Sequence, residues 1–213
     1  MKRTCHREES WVFPFISYQP EKAAEKLPLI VQLHGAGERG NGQEDLDRVE
    51  IWGFPQMAKA GEYPCIFAFP QCPEDTFWAA RVESILRFID QLKEAFHIDE
   101  DRIYLTGLSM GGYGTWYTAM ADPKRFAAIA PVCGGGMAWN AEVLTMPVWA
   151  FHGGKDKSVN VFHSDEMVEK MRKYQLNIRY TRLEAVGHNV WLNAYNEELL
   201  NWLLSQKKQT ISV

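Results

Sequence analysis

Ile103-Tyr104-Leu105-Thr106-Gly107-Leu108-Ser109-Met110-Gly111-Gly112-Tyr113-Gly114 decides how this chain is read. An apolar, β-prone run enters Gly107-Leu108-Ser109-Met110-Gly111, which fits G-x-S-x-G, and a segment of helical character leaves it. Strand, sharp turn and helix in that order lift a serine hydroxyl clear of the backbone. Glycines at 107 and 111 suit the turn because side chains there would meet the neighbouring strand and helix. By itself the pattern also fits a glycine-rich loop with an incidental serine. The rest of the chain has to supply the partners a serine nucleophile needs.

Working outward, Leu29-Ile30-Val31-Gln32-Leu33 is a short apolar run ending in His34-Gly35-Ala36-Gly37. It reads as a buried strand, as does Cys65-Ile66-Phe67-Ala68-Phe69, stopped by Pro70. Trp11–Tyr18, interrupted by Pro14, reads as an early edge strand, and the polar stretch Pro20–Lys26 as a turn. A short helix is expected near Glu44–Trp52. Within Ala79–Phe96, Val82, Ile85, Leu86, Ile89, Leu92 and Phe96 recur at helical spacing. A polar break, His97–Arg102, precedes the central strand. Beyond the serine come a helix to Ala121, ended by Asp122-Pro123, and a strand over Phe126–Val132. A strand over Pro147–Phe151, a helix over Phe162–Tyr174, a strand over Ile178–Leu183 and a closing helix over Leu192–Leu204 follow.

This alternation specifies an α/β fold with a mainly parallel central sheet and helices on both faces. The 213 residues suit one domain, 1–213, and Val132 and Pro147 are too close in sequence to enclose a large cap domain. Hydrophobic residues make up 46% of the chain, which favours a packed globule. The net charge of -4, with no basic cluster carrying interleaved aromatics, argues against a nucleic-acid surface. The four cysteines, Cys5, Cys65, Cys72 and Cys133, lack C-x-x-C spacing, so no zinc site is expected. A Cys65–Cys72 disulfide is one alternative and buried, reduced thiols the other. The first ten residues are charged without an apolar run behind them, and no segment approaches the ~20 apolar residues of a membrane helix. The expected setting is the cytoplasm without membrane contact, or outside the cell if a leader has been removed.

A serine hydroxyl needs a base within hydrogen-bond reach, and the base needs an orienting carboxylate. In open parallel sheets functional groups collect beyond the carboxyl ends of the strands. Asp156 follows the Pro147–Phe151 strand, and His188 follows the Ile178–Leu183 strand. The order Ser109, Asp156, His188 is the serine–acid–histidine order associated with the nucleophile turn. His188 would take and return the proton; Asp156 would fix its tautomer. Among the rivals, Asp165 reads as solvated and His163 as packing or capping. Glu184 sits at the wrong place in the strand order. His34 and His152 read as structural, His6 and His97 as exposed. Donors for an oxyanion are expected at the backbone amides of Met110 and of Ala36.

Leu33-His34-Gly35-Ala36-Gly37-Glu38-Arg39-Gly40, Gly107-Leu108-Ser109-Met110-Gly111-Gly112, His152-Gly153-Gly154-Lys155-Asp156 and Gly187-His188 occur in this order. Together they resemble the α/β-hydrolase superfamily over about residues 10–205. The nearest likeness is to compact phospholipase/carboxylesterase and polyhydroxybutyrate-depolymerase-like esterases, including feruloyl and acetyl esterases. A dienelactone-hydrolase reading fits less well, because position 109 is serine rather than cysteine. The resemblance implies an acyl-enzyme on Ser109, catalytic roles for Asp156 and His188, oxyanion amides at Ala36 and Met110, and no metal or organic cofactor. Asn160 stands where relatives often carry proline, which bears on the stiffness of the acid loop.

Eight tryptophans are many for this length. Trp78 and Trp191 lie in loops on the side of Ser109 and would wall an aromatic acyl group or a sugar ring, with Trp52 as a third member. Trp116, Trp149 and Trp202 lie within elements and are read as core. Glu38 and Arg39 are expected to anchor the Ala36 loop as an ion pair. The first functional expectation is hydrolysis of short-chain or aromatic carboxylic esters, with a small-molecule or saccharide-linked substrate. The second is a serine peptidase of the prolyl-oligopeptidase type, and the third a non-catalytic binding module on a hydrolase fold.

Overall fold

The structure is a computed structural model that describes residues 1–22 and 25–208. Its strands are β1 (Lys2–His6), β2 (Phe15–Gln19), β3 (Leu27–Leu33), β4 (Ile66–Pro70), β5 (Ile98–Leu108), β6 (Ala128–Val132), β7 (Val148–Gly153) and β8 (Ile178–Leu183). They form one sheet in the order β1-β2-β4-β3-β5-β6-β7-β8. β2 runs antiparallel to both β1 and β4, and the remaining neighbours are parallel. The helices are α1 (Phe54–Ala60), α2 (Val82–Ala95), α3 (Met110–Ala121), α4 (Phe162–Lys173), α5 (Trp191–Ala194) and α6 (Glu197–Ser205).

The continuous apolar runs of the central strands have a simple cause: both faces are covered. In β3, Leu29, Val31 and Leu33 enter one core with Phe88, Ile89, Trp116 and Met167. Ile30, between them, enters the other with Phe54, Phe67, Leu199 and Leu203. β5 repeats the alternation, with Leu105 on the first face and Tyr104 and Leu108 on the second. The two cores leave the carboxyl ends of the parallel strands uncovered, and the site is built there.

Several elements depart from the sequence reading. β2 is not at the edge, because the charged residues Lys2–His6 form β1 outside it. A charged edge strand discourages pairing with other chains. β5 begins at Ile98 rather than after Arg102, because Leu27 pairs with Ile98 across a register shift before the regular ladder begins. The Glu44–Trp52 segment gives only a 3-10 turn at Leu46–Glu50, and α1 starts after Gly53, whose φ is 86°. The closing helix divides into α5 and α6 because the Asn196 side chain caps a new start, accepting from the Leu199 amide at 3.0 Å. All four cysteines are free thiols. Ala23 and Ala24, in the expected Pro20–Lys26 turn, lie outside the described residues. Among the described residues no helix is long and apolar enough to cross a membrane.

Candidate active site

Ser109 joins the end of β5 to the start of α3 with φ 53° and ψ -115°, a backbone conformation rare for a residue with a side chain. The surrounding glycines permit it, because they leave the backbone room to pass. A Cβ on Gly111 would stand 2.0 Å from the Leu33 carbonyl oxygen, and one on Gly107 2.4 Å from that of Gly111. The Ser109 amide donates to the Val132 carbonyl at 2.9 Å. The turn is thereby clamped between the ends of β3 and β6.

The loop after β8 brings His188 over this turn, with Nε2 2.9 Å from Ser109 Oγ and Nδ1 2.7 Å from Asp156 Oδ2. The Asp156 side chain is buried. Burial raises its carboxyl, but hydrogen bonds from His188 and from the Val159 and Ser158 amides outweigh that and hold it below the usual carboxylate range. Beside an ionised Asp156, His188 carries its proton on Nδ1, and Nε2 is left to accept from Ser109. The structure thus brings together the three residues the sequence singled out.

The Met110 amide is the first of α3, and the Ala36 amide the first of a 3-10 turn over Ala36–Glu38. Amides in a first helical turn lack intrahelical acceptors, so both are available to an oxyanion. The Ala36 loop is fastened from below. His34 Nε2 accepts from the Cys72 amide at 2.9 Å, Nδ1–H donates to the Gly35 carbonyl at 2.6 Å, and the Trp78 indole donates to the His34 carbonyl at 3.0 Å. Arg39 donates to the Ala36 carbonyl at 3.0 Å and to those of Glu74 and Thr76 at 3.3 Å. The expected Glu38–Arg39 ion pair does not form among the described residues. Arg39 spends its donors on carbonyls, and Glu38 packs 4.0 Å from His34, where burial raises its carboxyl.

The expected aromatic wall is corrected at one position. Trp78 is 0% exposed, packed edge-on to Phe13 and His34 beneath the loop, where no substrate reaches it. Trp191 stands edge-on to His188 with ring centroids 5.1 Å apart, and Trp52 leans against Trp191 at 6.0 Å. Sequence reading missed a cavity of about 410 Å³ lined by Phe77, Ala79, Met110, Tyr113 and Tyr117. Its signal was present: Met110, Tyr113 and Tyr117 share one face of α3.

The rivals have other partners. Asp165 is half-buried and accepts from the Tyr180 hydroxyl at 2.7 Å; Glu184 pairs with Arg182. His163 lies edge-on to Tyr113. His6, read as exposed, is half-buried and stacked on Phe15. Asn160 Oδ1 accepts from the Phe162 amide, so its side chain stiffens the acid loop where proline often stands. Cys133, Asp156 and His188 offer donor atoms within 4.8 Å of one another, a spacing that invites a metal. However, Asp156 and His188 are already bonded to each other, and burial pushes the Cys133 thiol up. The serine–histidine–aspartate set accounts for the cluster.

A mainly parallel sheet, a nucleophile turn and a hydrogen-bonded serine–histidine–aspartate set at the strand ends define the α/β-hydrolase class. Residues 57–199 match the dienelactone hydrolase family, and the chain belongs to it. The serine at position 109 weighed against that family in the sequence; the match over most of the chain outweighs one residue. A bifunctional acetylxylan esterase/xylanase of Neocallimastix patriciarum is 32% identical over 149 residues, 67% of this chain and 21% of its own length. A poly(3-hydroxyalkanoate) depolymerase C of Paucimonas lemoignei is 29% identical over 123 residues, 54% of this chain and 30% of its own. The chain thus spans less than a third of either relative. Among solved structures, a thermostable esterase superposes with a TM-score of 0.81 at 31% identity, covering 97% of this chain and 63% of that one.

Proposed function

We propose that this protein is a serine carboxylesterase acting through an acyl-enzyme on Ser109. The observation that carries this reading is the unbroken hydrogen-bond path from Ser109 Oγ through His188 to Asp156. His188 Nε2 takes the hydroxyl proton as Oγ attacks the ester carbonyl, and the tetrahedral oxygen is received by the Ala36 and Met110 amides. His188 then returns the proton to the departing alcohol, and a water repeats the sequence in reverse to release the acid. Asp156 holds the imidazole and stabilises its cation. Removing one oxyanion donor typically costs about 10²–10³ in rate.

The substrate assigned is a short-chain or aromatic acyl ester of a bulky alcohol, with a saccharide favoured. The apolar cavity against Met110 suits the acyl group. The leaving oxygen has to lie within reach of His188, so Trp191 and Trp52 flank the alcohol. One relative's name includes acetylxylan, a saccharide-linked ester. A fluorophosphonate probe is expected to label the wild type at Ser109 and not Ser109→Ala. Labelling elsewhere, or none of the folded protein, overturns the serine-hydrolase reading. A panel of nitrophenyl acetate, butyrate and longer esters, methyl ferulate and a proline-anilide peptide is expected to show ester preference. Amide cleavage without such preference would replace the esterase with a peptidase.

A further inference from the structure

We propose that Arg39 is a positioning residue that sets the acyl cavity against the oxyanion donors, by tying the wall of one to the loop of the other. The proposal rests on the esterase reading and deepens it, from what the site does to how it selects an acyl group. An ester carbonyl at Ser109 has to be held at two points at once. Its oxygen lies at the Ala36 and Met110 amides while its acyl group enters the cavity between Phe77 and α3. Met110 joins the two on the α3 side, because it supplies an amide and also lines the cavity. On the opposite side, Ala36 and Phe77 belong to different segments of the chain, and something has to hold them in register.

Arg39 spans the two segments. Its Nε–H donates to the Ala36 carbonyl at 3.0 Å, and Nη1, which carries two hydrogens, donates to the Glu74 and Thr76 carbonyls at 3.3 Å. The ends of the second segment are fixed without it. Cys72 gives its amide to His34 and accepts the Gly40 amide, Pro73 bridges to Gly40, and Trp78 is buried with its indole on the His34 carbonyl. Glu74–Phe77 is the arch between those ends, and Arg39 reaches it at two of its carbonyls. Phe77 is 54% exposed, so core packing holds it weakly. A guanidinium suits this task because it is planar and presents its donors as a rigid fork. Among the described residues Arg39 pairs with no carboxylate, and its contacts depend on that shape rather than on charge.

An arginine that only steadies a loop and one that sets this spacing differ in what they move. A stability defect lowers the amount of competent enzyme and scales every substrate alike. A wall that has lost its place penalises an acyl group that packs on it more than one too small to reach it. Nitrophenyl acetate and nitrophenyl benzoate share a leaving group, so a change in the ratio of their kcat/KM values reads the acyl side alone. Arg39→Met keeps the length without the donors. It is expected to lower both values and to lower the benzoate-to-acetate ratio by about tenfold. Arg39→Lys keeps the charge without the fork and is expected to leave the ratio about threefold or more below wild type. It decides the matter if Arg39→Met does not fold. In a Phe77→Ala background, where the wall is gone, Arg39→Met is expected to change the ratio by less than about twofold.

Amide hydrogen exchange supplies a readout without substrate. Peptides covering residues 36–40 and 73–77 are expected to exchange faster together in Arg39→Met, with α3 unchanged. An unchanged or raised benzoate-to-acetate ratio in folded Arg39→Met would overturn the proposal. So would a wild-type ratio in Arg39→Lys, an equal fall in the Phe77→Ala background, or unchanged exchange in either segment. A folded wild type that takes no fluorophosphonate and cleaves neither ester overturns the esterase reading instead, while exchange in the two segments still decides whether Arg39 joins them.

Discussion

A ring nitrogen that accepts an amide proton cannot also hold one of its own. His34 Nε2 accepts from the Cys72 amide, and burial brings its pKa down from 6.5 to about 4. Unfolded, the same histidine titrates near ~6.5. The native state therefore binds fewer protons between these values, so this contribution is whole above pH 6.5 and is lost as pH falls towards 4. The shift is worth about 3 kcal/mol. Denaturant unfolding between pH 7 and 4 is expected to give falling stability, and His34→Gln, with an amide oxygen to accept from Cys72, a flatter dependence. An equal slope in the variant would assign the effect elsewhere. Asp156 acts in a separate window: its carboxyl is depressed from 3.8, so its contribution is present above that value and lost as pH falls through the folded one. At this scale the sequence was most legible where chemistry fixes residue type. Ser109, Asp156 and His188 could be found because each follows a strand and they come in a known order. Trp78 could not be placed, because a loop position does not say which way a side chain turns, and its indole turned inward to the His34 carbonyl.

At the scale of the element, the glycines of the nucleophile turn are constrained by backbone rather than by neighbouring side chains. A Cβ on Gly111 meets the Leu33 and His34 carbonyls, which belong to β3 and the Ala36 loop and cannot yield. Gly111→Ala is expected to cost about 3 kcal/mol or more, or to displace the turn and abolish probe labelling. Gly37, with nothing within 4 Å of its added Cβ, gives the contrast. Gly37→Ala is expected to change stability by about 0.5 kcal/mol at most. Matching melting temperatures for the two variants would refute the steric account. α2 and α4 were legible because burial on one side writes a helical period into the sequence, the central parallel strands because burial on both sides leaves short unbroken apolar runs, and α3 because it follows the nucleophile turn. β1 was not, because an edge strand half open to water carries no apolar run. The division of the last helix depends on Asn196, a single polar cap within otherwise helical sequence.

At the scale of the molecule, the two cores stop short at one rim. Ile51, Trp52, Phe77, Trp139, Phe162 and Leu192 are exposed, and each follows the carboxyl end of a strand. The same rim holds the Ser109 backbone at φ 53°, with consequences for the stability of the whole chain. Such a conformation costs roughly 1–3 kcal/mol in a residue with a Cβ, and the rest of the fold bears it continuously. Glycine escapes that cost but adds freedom to the unfolded chain, about 0.5–1 kcal/mol. Ser109→Gly is therefore expected to melt higher than Ser109→Ala by about 2–4 °C, although both lack the hydroxyl. Equal calorimetric midpoints would mean that the turn is relaxed. A difference would mean that a lineage freed from the need for a nucleophile could gain heat tolerance by one substitution at the residue on which its chemistry depended.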